Sequence, residues 1–197
     1  IIECADYMEN TPLGRAEWIR FIGLFTGRES QADSLFATIE RQYIELCQRV
    51  SGIKNRPTVI AEKKTGSTWF VPGGNSYMAR LFADAGADYF WKDDKHAGSL
   101  ALSFESVFDK AQSADFWLFK YSAPTDITLR TLASEHSPYS RFIAFEKGRV
   151  FGCNLTRNRF FEEVPLHPDL LLKDFILIFH PELFPGERCR YYHHLQP

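Results

Sequence analysis

The sequence lacks the features that mark several large classes of protein. None of its apolar runs approaches the roughly 20 residues that a membrane-spanning helix needs, and no segment has the basic, apolar and small-residue order of a signal peptide. Charged residues form no long block of one sign, and the formal net charge is -2 over 197 residues. This balance lacks the basic footprint of a nucleic-acid-binding protein and predicts no attraction to an anionic membrane surface.

Motifs of common enzymes and metal sites are also absent. The sequence contains no GxSxG, GxxxxGKS/T, GxGxxG, HExxH or CxxC pattern. Its cysteines, Cys4, Cys47, Cys153 and Cys189, lie too far apart for a zinc ribbon or a thioredoxin-type redox pair. The histidines are scattered except for His193 and His194, a pair more typical of a solvated terminus than of a metal site. We therefore predict no catalytic residues and no metal site.

Aromatic and aliphatic residues are abundant instead. Hydrophobic residues make up 45% of the chain and aromatic residues 15%, so the chain can bury a substantial core without disulfides. From about Pro57 onward, strand-like runs alternate with helix-like segments, which is typical of a mostly parallel sheet covered on both faces. The predicted strands are TVIAEKK, TWFVPG, residues 88–91, DFWLFKYS and RVFGCN, and the predicted helices span residues 76–85, 103–111, 126–134 and 168–180. We therefore predict an α/β fold in which residues 53–197 form a three-layer lobe.

A long helical pattern precedes this lobe. Apolar residues recur at helical spacing from Leu13 to about Val50, with Thr11 as the predicted N-cap and Pro12 in the first turn. Gly27 is expected to kink or restart the helix. A helix of this length between a strand and a new α/β pattern favours a connector between two lobes over residues 13–52. Residues 1–12 open with a strand-like apolar run, whose sheet partners lie either later in this chain or in a missing N-terminal part.

The stretch TWFVPGGNSYMARLFADAG places a Gly-Gly-Asn turn between an apolar run and a helix. Gly73 and Gly74 permit positive φ and the close approach of a ligand, and the N–H groups at the helix start can bind an anion or an oxygen-rich ligand. Trp69 and Tyr77 suit a large planar or amphipathic ligand. The alternative is an ordinary strand-to-helix turn with the rings in the core, which we expect for Phe70 more than for Trp69 or Tyr77.

A second informative stretch is NRFFEEVPLHPDLLLKDFILIFHPELFP. Phe160 and Phe161 precede Glu162 and Glu163 in a loop before a proline-flanked helix. An aromatic ring beside an exposed carboxylate is typical of a binding rim that meets a ligand with the ring and a basic protein with the charge. The alternative is a solvated loop with one buried phenylalanine.

Several segments together resemble a known family. In order, GRAEWIRFIGLF, a long helix, WFVPGGNSYMARLFADAGADYFWKD, LSFESVFDKAQSADFWL, YSRFIAFEKGRVFGCN and FFEEVPLHPDLLLKDFILIFHPELFP are similar to the iron-siderophore, haem and cobalamin-binding proteins of bacterial ABC importers. The likeness is greatest to the lipoprotein branch of Bacteroides-like bacteria. It implies two α/β lobes joined by a long helix, with the ligand in the cleft between them. This chain is then the C-terminal fragment, and residues 1–12 are the end of a first lobe that is mostly missing.

The resemblance also implies which residues make contacts. Family ligands touch loops at the carboxyl ends of second-lobe strands, which correspond here to Trp69, Gly73, Gly74, Asn75, Ser76, Tyr77, Tyr121, Phe160 and Phe161. An acidic residue of each lobe docks against arginines of the inner-membrane permease, and Glu162 occupies that position, with Glu163 as the alternative. No cofactor is implied beyond the ligand itself, an iron-siderophore, haem or cobalamin.

The resulting expectation is a non-enzymatic solute-binding protein that delivers its ligand to an ABC permease. It would lie in the periplasm, anchored as a lipoprotein through a missing N-terminus. One alternative is an enzyme, a chelatase or hydrolase on a related scaffold, with His167 and Glu162 as acid and base. Another is a protein-interaction module that uses the aromatic rim. A fragment without its partner lobe is also expected to dimerise through the apolar face left exposed.

Overall fold

The structure is a computed structural model that describes residues 3–197. Ile1 and Ile2, on which the predicted opening strand rests, lie outside the described residues. The chain then forms a short 3-10 helix, Asp6–Met8, before the first α-helix. Thr11 caps that helix as predicted, because its side-chain oxygen accepts a hydrogen bond from the Gly14 N–H at 3.2 Å.

Two α-helices fold back on each other as an antiparallel hairpin. Helix α1 spans Pro12–Thr26 and helix α2 spans Glu29–Val50. Gly27 ends α1 with a φ of +62°, in the left-handed region that glycine tolerates best. Beyond this turn the helices approach closely, since Gly23 faces Ala32 and Arg20 pairs with Asp33 at 3.0 Å.

This hairpin corrects the prediction of one long rod over residues 13–52. The break lies near residue 27, as the sequence indicated, but the two segments pack side by side rather than end to end. The physical reason is a small separate core in which the apolar faces of the two helices bury each other, formed by Ala16, Ile19, Phe36 and Ile39. A role of the hairpin as the connector between two lobes stays a prediction.

The remainder of the chain alternates strands and helices. In chain order these are β1 (Thr58–Ala61), β2 (Lys64–Thr65), β3 (Thr68–Pro72), α3 (Tyr77–Asp84), β4 (Asp88–Tyr89), β5 (Ser99–Leu102), α4 (Phe104–Ala111), β6 (Phe116–Tyr121), α5 (Leu129–Glu135), α6 (Ile143–Glu146), β7 (Val150–Asn154), α7 (Phe160–Glu163), α8 (Pro168–Phe179) and β8 (His193–His194). The main sheet has the order β4-β1-β6-β7-β8, in which the first three pairings are parallel and the last is antiparallel. The prediction of an α/β fold with a mostly parallel sheet is confirmed.

Helices cover both faces of this sheet. On one face, Phe179 of α8 meets Phe116 of β6 with 5.5 Å between ring centroids. On the other face, Trp117 of β6 packs against Tyr139 and Phe142 at 5.0 and 5.2 Å. Because successive residues of a strand point to opposite faces, β6 forms the middle of three layers.

A second, smaller sheet stands at the edge of the first. Strands β2, β3 and β5 pair antiparallel in the order β2-β3-β5. Since β2 begins just three residues after β1 ends, the β2–β3 hairpin is held at the carboxyl edge of the main sheet. This edge is where open α/β sheets place their ligands.

The C-terminal tail is fixed by one buried carboxylate. Asp174 of α8 accepts hydrogen bonds from the backbone N–H groups of Arg190, Tyr191 and Tyr192 at 2.7, 2.7 and 3.1 Å. These bonds hold the tail against α8 and position β8 at the sheet edge. Within residues 3–197, none of the helices combines the length and the apolar character that crossing a bilayer requires.

Candidate functional site

A cavity of about 350 Å³ opens at the carboxyl ends of β1 and β6. The β2–β3 hairpin forms one side and the start of α3 forms the other. The side chains that matter most for its chemistry are Glu62, Lys63, Phe70, Tyr77, Met78 and Lys120. The cavity therefore combines aromatic and apolar walls with a charged floor, the mixture that small-molecule sites typically have.

The floor is an ion pair between Glu62 and Lys120. Their side chains are only 22% and 17% exposed, so both charges are largely removed from water. Glu62 follows β1 directly, and its N–H donates to the Leu118 carbonyl at 2.8 Å while its own carbonyl accepts from the Trp117 indole at 2.7 Å. Its carboxylate also accepts the Lys120 backbone N–H at 3.3 Å. These bonds hold Glu62 at a φ of +63°, a left-handed conformation that is costly for a residue with a Cβ.

Tyr77 forms a fixed part of the cavity wall. It is the first residue of α3, and its hydroxyl donates to the Val164 carbonyl at 3.2 Å. The guanidinium of Arg15 lies 5.7 Å from its ring centroid. Burial raises the pKa of Tyr77, so its hydroxyl stays protonated. Ser76, also in the lining, caps α3 by accepting the Ala79 N–H at 3.2 Å.

The Gly-Gly-Asn turn faces its own chain. The Gly73 N–H donates to the Gly98 carbonyl at 2.8 Å, and the Asn75 N–H donates to the His96 carbonyl at 3.1 Å. Neither Gly73 nor Gly74 has a positive φ. A Cβ on Gly74 would instead lie 2.6 Å from the Lys92 carbonyl oxygen. The glycines are thus required by the close approach of the loop at residues 91–98, and neither of them lines the cavity.

The sequence favoured Phe70 over Trp69 as a core residue, and the structure shows the reverse. Trp69 is fully buried, stacks on Trp117 with 5.6 Å between ring centroids, and donates its indole N–H to the Ala61 carbonyl at 3.0 Å. Phe70 is 47% exposed and lines the cavity. Strand alternation turns Trp69 toward the core and Phe70 away from it, so Phe70 lines the cavity and Trp69 does not.

Tyr121 is buried within a hydrogen-bonded network. Its hydroxyl lies 3.0 Å from His193 Nε2, donates to Asp126 at 3.3 Å and accepts the Ile127 N–H at 3.2 Å. Asn154 reinforces the network by donating to Asp126 at 3.2 Å. Burial raises the pKa of Tyr121 to about 12. This side chain fastens the loop after β6 and is not part of the cavity lining.

The two phenylalanines at the start of α7 have different environments. Phe160 is buried, and its ring centroid lies 5.8 Å from the Lys120 ammonium, so it backs the floor of the cavity. Phe161 is 66% exposed on the surface of α7. Of the predicted ligand residues, Ser76 and Tyr77 line the cavity. Phe160 lies behind Lys120, and Phe161 packs on Phe160 with 5.5 Å between ring centroids.

The adjacent carboxylates of α7 also differ. Glu162 is exposed and pairs only along its own helix, with Arg159. Glu163 accepts hydrogen bonds from Arg190 at 2.8 Å and from the Tyr191 hydroxyl at 3.2 Å. The Arg190 hydrogen bond holds the pKa of Glu163 below its usual range. Glu163 therefore ties α7 to the C-terminal tail, whereas Glu162 is free to meet another molecule.

The acid and base suggested for an enzyme have different ionic partners. Glu162 pairs with Arg159, whereas His167 lies 3.8 Å from the buried carboxylate of Asp169. Over the described residues 3–197 the structure shows no cluster of three or more potential metal-ligating side chains.

Sequence reasoning missed the charged floor. Glu62 and Lys120 are 58 residues apart in the chain and meet only because β1 pairs with β6. Two signals were present: a carboxylate directly after the apolar run TVIA, and a single lysine in the otherwise apolar run DFWLFKY. Phe70 gave no comparable signal, since every residue around it is apolar or aromatic.

Comparisons with known proteins agree with this architecture. A family model described as periplasmic binding protein matches residues 1–154. An uncharacterized lipoprotein of Methanocaldococcus jannaschii is 30% identical over 191 residues, which cover 95% of this chain and 44% of the relative. A second uncharacterized lipoprotein of that organism is 26% identical over 196 residues, covering 96% of this chain and 49% of the relative. The chain therefore spans about half the length of these curated relatives.

Solved structures share the fold at low sequence identity. FepB from Veillonella parvula, a TroA-like periplasmic binding protein, has a TM-score of 0.69 at 20% identity, over 93% of this chain and 61% of that one. Helicobacter pylori CeuE with Ni(II) bound has a TM-score of 0.69 at 16% identity, over 91% and 55%. S. aureus IsdE complexed with heme has a TM-score of 0.65 at 16% identity, over 87% and 66%. The family match covers most of the 197 residues, so the chain belongs to the periplasmic binding protein family, whose members bind substrates rather than transform them.

Proposed function

We propose that this chain is the second lobe of a two-lobed protein that captures a metal chelate in the periplasm and delivers it to an ABC permease. The observation that carries the proposal is the cavity at the carboxyl edge of the parallel sheet, with Phe70 and Tyr77 as aromatic walls and a charged floor. Such an edge is the usual ligand position in open α/β sheets.

The size of the cavity supports a second wall elsewhere in the polypeptide. Sites that enclose a drug-sized ligand have volumes of roughly 300–1,000 Å³, and about 350 Å³ lies at the lower end of that range. An iron-siderophore, haem or cobalamin would therefore fill this cavity with one part of its surface and project the rest outward. The first lobe of the same protein is the natural source of the remaining contacts, since the curated relatives are about twice as long as this chain.

The hairpin of α1 and α2 supplies a surface on which that first lobe could pack. Its large apolar side chains Ile22, Leu24, Phe25, Leu35 and Ile44 are all at least 39% exposed. Open hollows of about 540 and 470 Å³ follow the same hairpin. They exceed the sheet-edge cavity in volume, but they lie on helix faces rather than at strand ends, so we assign them to lobe contact. Ile22 and Leu35 line the same hollow, and exposed apolar surface of this kind is typical of an interface.

The class of ligand is supported by what similar proteins hold. CeuE carries Ni(II) and IsdE carries heme in their solved structures. We propose an iron chelate, haem or corrinoid as the cargo of this protein, because both neighbours hold a metal ion or a metal complex. A periplasmic location with a lipoprotein anchor is proposed from the two relatives that bear the name lipoprotein.

Glu162 is the proposed contact with the permease. Its carboxylate is exposed beside Phe161, and its partner Arg159 is exposed too, so solvent screens the pair and it contributes little to stability. Removing the carboxylate should leave the fold and the cavity unchanged while weakening orientation on a basic docking surface.

A paired measurement tests that contact. Glu162→Ala should lower transport several-fold in cells that carry the matching importer, with an unchanged dissociation constant for the ligand. Glu146→Ala is the matched control, because Glu146 is equally exposed but lies near the amino end of β7. Equal transport by the Glu162→Ala variant and the parent would contradict the docking role.

A ligand screen tests the function itself. Tryptophan fluorescence of the full-length protein should respond saturably to at least one of three probes: a ferric siderophore, haem or cobalamin. Slow turnover of a probe would favour the enzymatic alternative instead. The absence of any small-molecule response would favour a protein-interaction module and would contradict the proposal.

A further inference from the structure

The Lys120 ammonium on the floor of the cavity has hydrogen-bond donors left over. An ammonium group carries three N–H donors, and the Lys120 ammonium uses one of them on Glu62. The Glu62 carboxylate is engaged with both oxygens, one on the Lys120 ammonium and the other on the Lys120 backbone N–H. What the floor still offers is therefore a donor with a positive charge.

Two other polar groups of the cavity have partners of their own. The Tyr77 hydroxyl donates to the Val164 carbonyl, and the Lys63 ammonium pairs with Glu135. Lys120 is held more firmly than Lys63, because its partner Glu62 is 22% exposed against 38% for Glu135, and because the ring centroid of Phe160 lies 5.8 Å from its ammonium. A partly buried ammonium with spare donors interacts strongly with an anionic oxygen, because little water screens the contact.

We propose that Lys120 selects cargo by an anionic oxygen, and that Glu62 holds the lysine in place and competes with that anion when the cavity is empty. The inference rests on the proposed function and adds a ligand class to it: a metal complex that carries a peripheral carboxylate, catecholate or similar anionic group. The left-handed backbone of Glu62, fixed by Leu118 and Trp117, keeps the carboxylate beside the lysine. A neutral chelate would leave the pair undisturbed and gain nothing from it.

Substitutions at the two residues should act in opposite directions. Lys120→Met removes the donor and should weaken binding of an anionic probe by about 10- to 100-fold, the usual range for a hydrogen bond to a charged group. Glu62→Gln removes the competing charge and should tighten binding of the same probe by at least about 3-fold. A merely structural ion pair would behave differently, since loss of either partner would weaken binding of every probe.

The experiment measures dissociation constants on the full-length protein with three probes. These are an anionic ferric tris-catecholate, haem with its two propionates, and a ferric tris-hydroxamate without net negative charge. Lys173→Met is the matched control, because it removes the same charge from an ion pair, Lys173 with Glu187 at 2.5 Å, on α8. Lys120→Arg should stay within a few-fold of the parent, and it keeps the test decisive if the methionine variant fails to fold.

The outcomes separate this inference from the function on which it rests. The inference is supported if binding of the tris-catecholate or of haem weakens in Lys120→Met, tightens in Glu62→Gln and is unchanged in Lys173→Met. The probe that responds in this way identifies which source of the anion fits. Equal affinities of parent and Lys120→Met, or weaker binding in both variants, would overturn the inference while leaving the proposed function intact. No response of the parent to any of the three probes would overturn both.

Discussion

Replacing Gly74 by alanine is the sharpest perturbation of the turn at the start of α3. The added Cβ would lie 2.6 Å from the Lys92 carbonyl oxygen and closer still to those of Trp91 and Asp94. All three are backbone atoms, so the loop itself must move. Overpacking that cannot be relieved by a side chain costs about 1–3 kcal/mol.

Movement of the loop also strains the hydrogen bonds that hold it. The Gly73 N–H bond to Gly98 and the Asn75 N–H bond to His96 span the same contact, and each contributes about 1 kcal/mol. We therefore expect Gly74→Ala to lower the free energy of unfolding by about 3–5 kcal/mol, the sum of these effects.

Urea denaturation followed by circular dichroism measures this loss. Gly98→Ala is the control in the same loop, because a Cβ there meets no atom within 4 Å and its φ is not positive. Its stability should change by less than about 1 kcal/mol. If Gly74→Ala unfolds at the same urea concentration as the parent but binds ligand more weakly, the glycine serves the ligand and the reasoning fails.

Two further substitutions test other parts of the structure. Trp69→Phe leaves the Ala61 carbonyl without its indole donor and opens a gap beside Trp117. The free energy of unfolding should therefore fall by about 2–4 kcal/mol in the same urea assay. Unchanged stability together with weaker ligand binding would instead indicate that Trp69 contacts the ligand. The 197-residue chain should self-associate through the α1–α2 hairpin. Phe25→Ser, at a side chain that is 57% exposed, should shift the chain toward the monomer in light scattering. A monomeric parent at high concentration would contradict this.

Local signals allowed much of the fold to be predicted. Ser76 and Ser103 cap α3 and α4 by accepting the N–H groups of Ala79 and Ser106, as residues of this type do before a helical pattern. The alternation of strands and helices after Pro57 specified the parallel sheet, since parallel strands need helical crossovers. Both kinds of information depend on residues that are close in the chain.

Features that depend on tertiary packing were predicted less well. The pattern over residues 13–52 shows the apolar spacing of a helix but not whether two helical segments lie end to end or side by side. In TWFVP nearly every residue is apolar, so the period of two that would have distinguished Trp69 from Phe70 is hidden. The Glu62–Lys120 pair requires knowledge that β1 and β6 are neighbours, which no local pattern provides.

Hydrogen exchange on the full-length protein, with and without the probe that binds in the fluorescence screen, tests the location of the ligand most directly. The account predicts that ligand slows amide exchange at residues 62–63, 76–78, 97–99 and 119–121, which surround the cavity at the sheet edge. Protection confined to the α1–α2 hairpin or to the loop after β6, with exchange around the cavity unchanged, would contradict this location of the ligand.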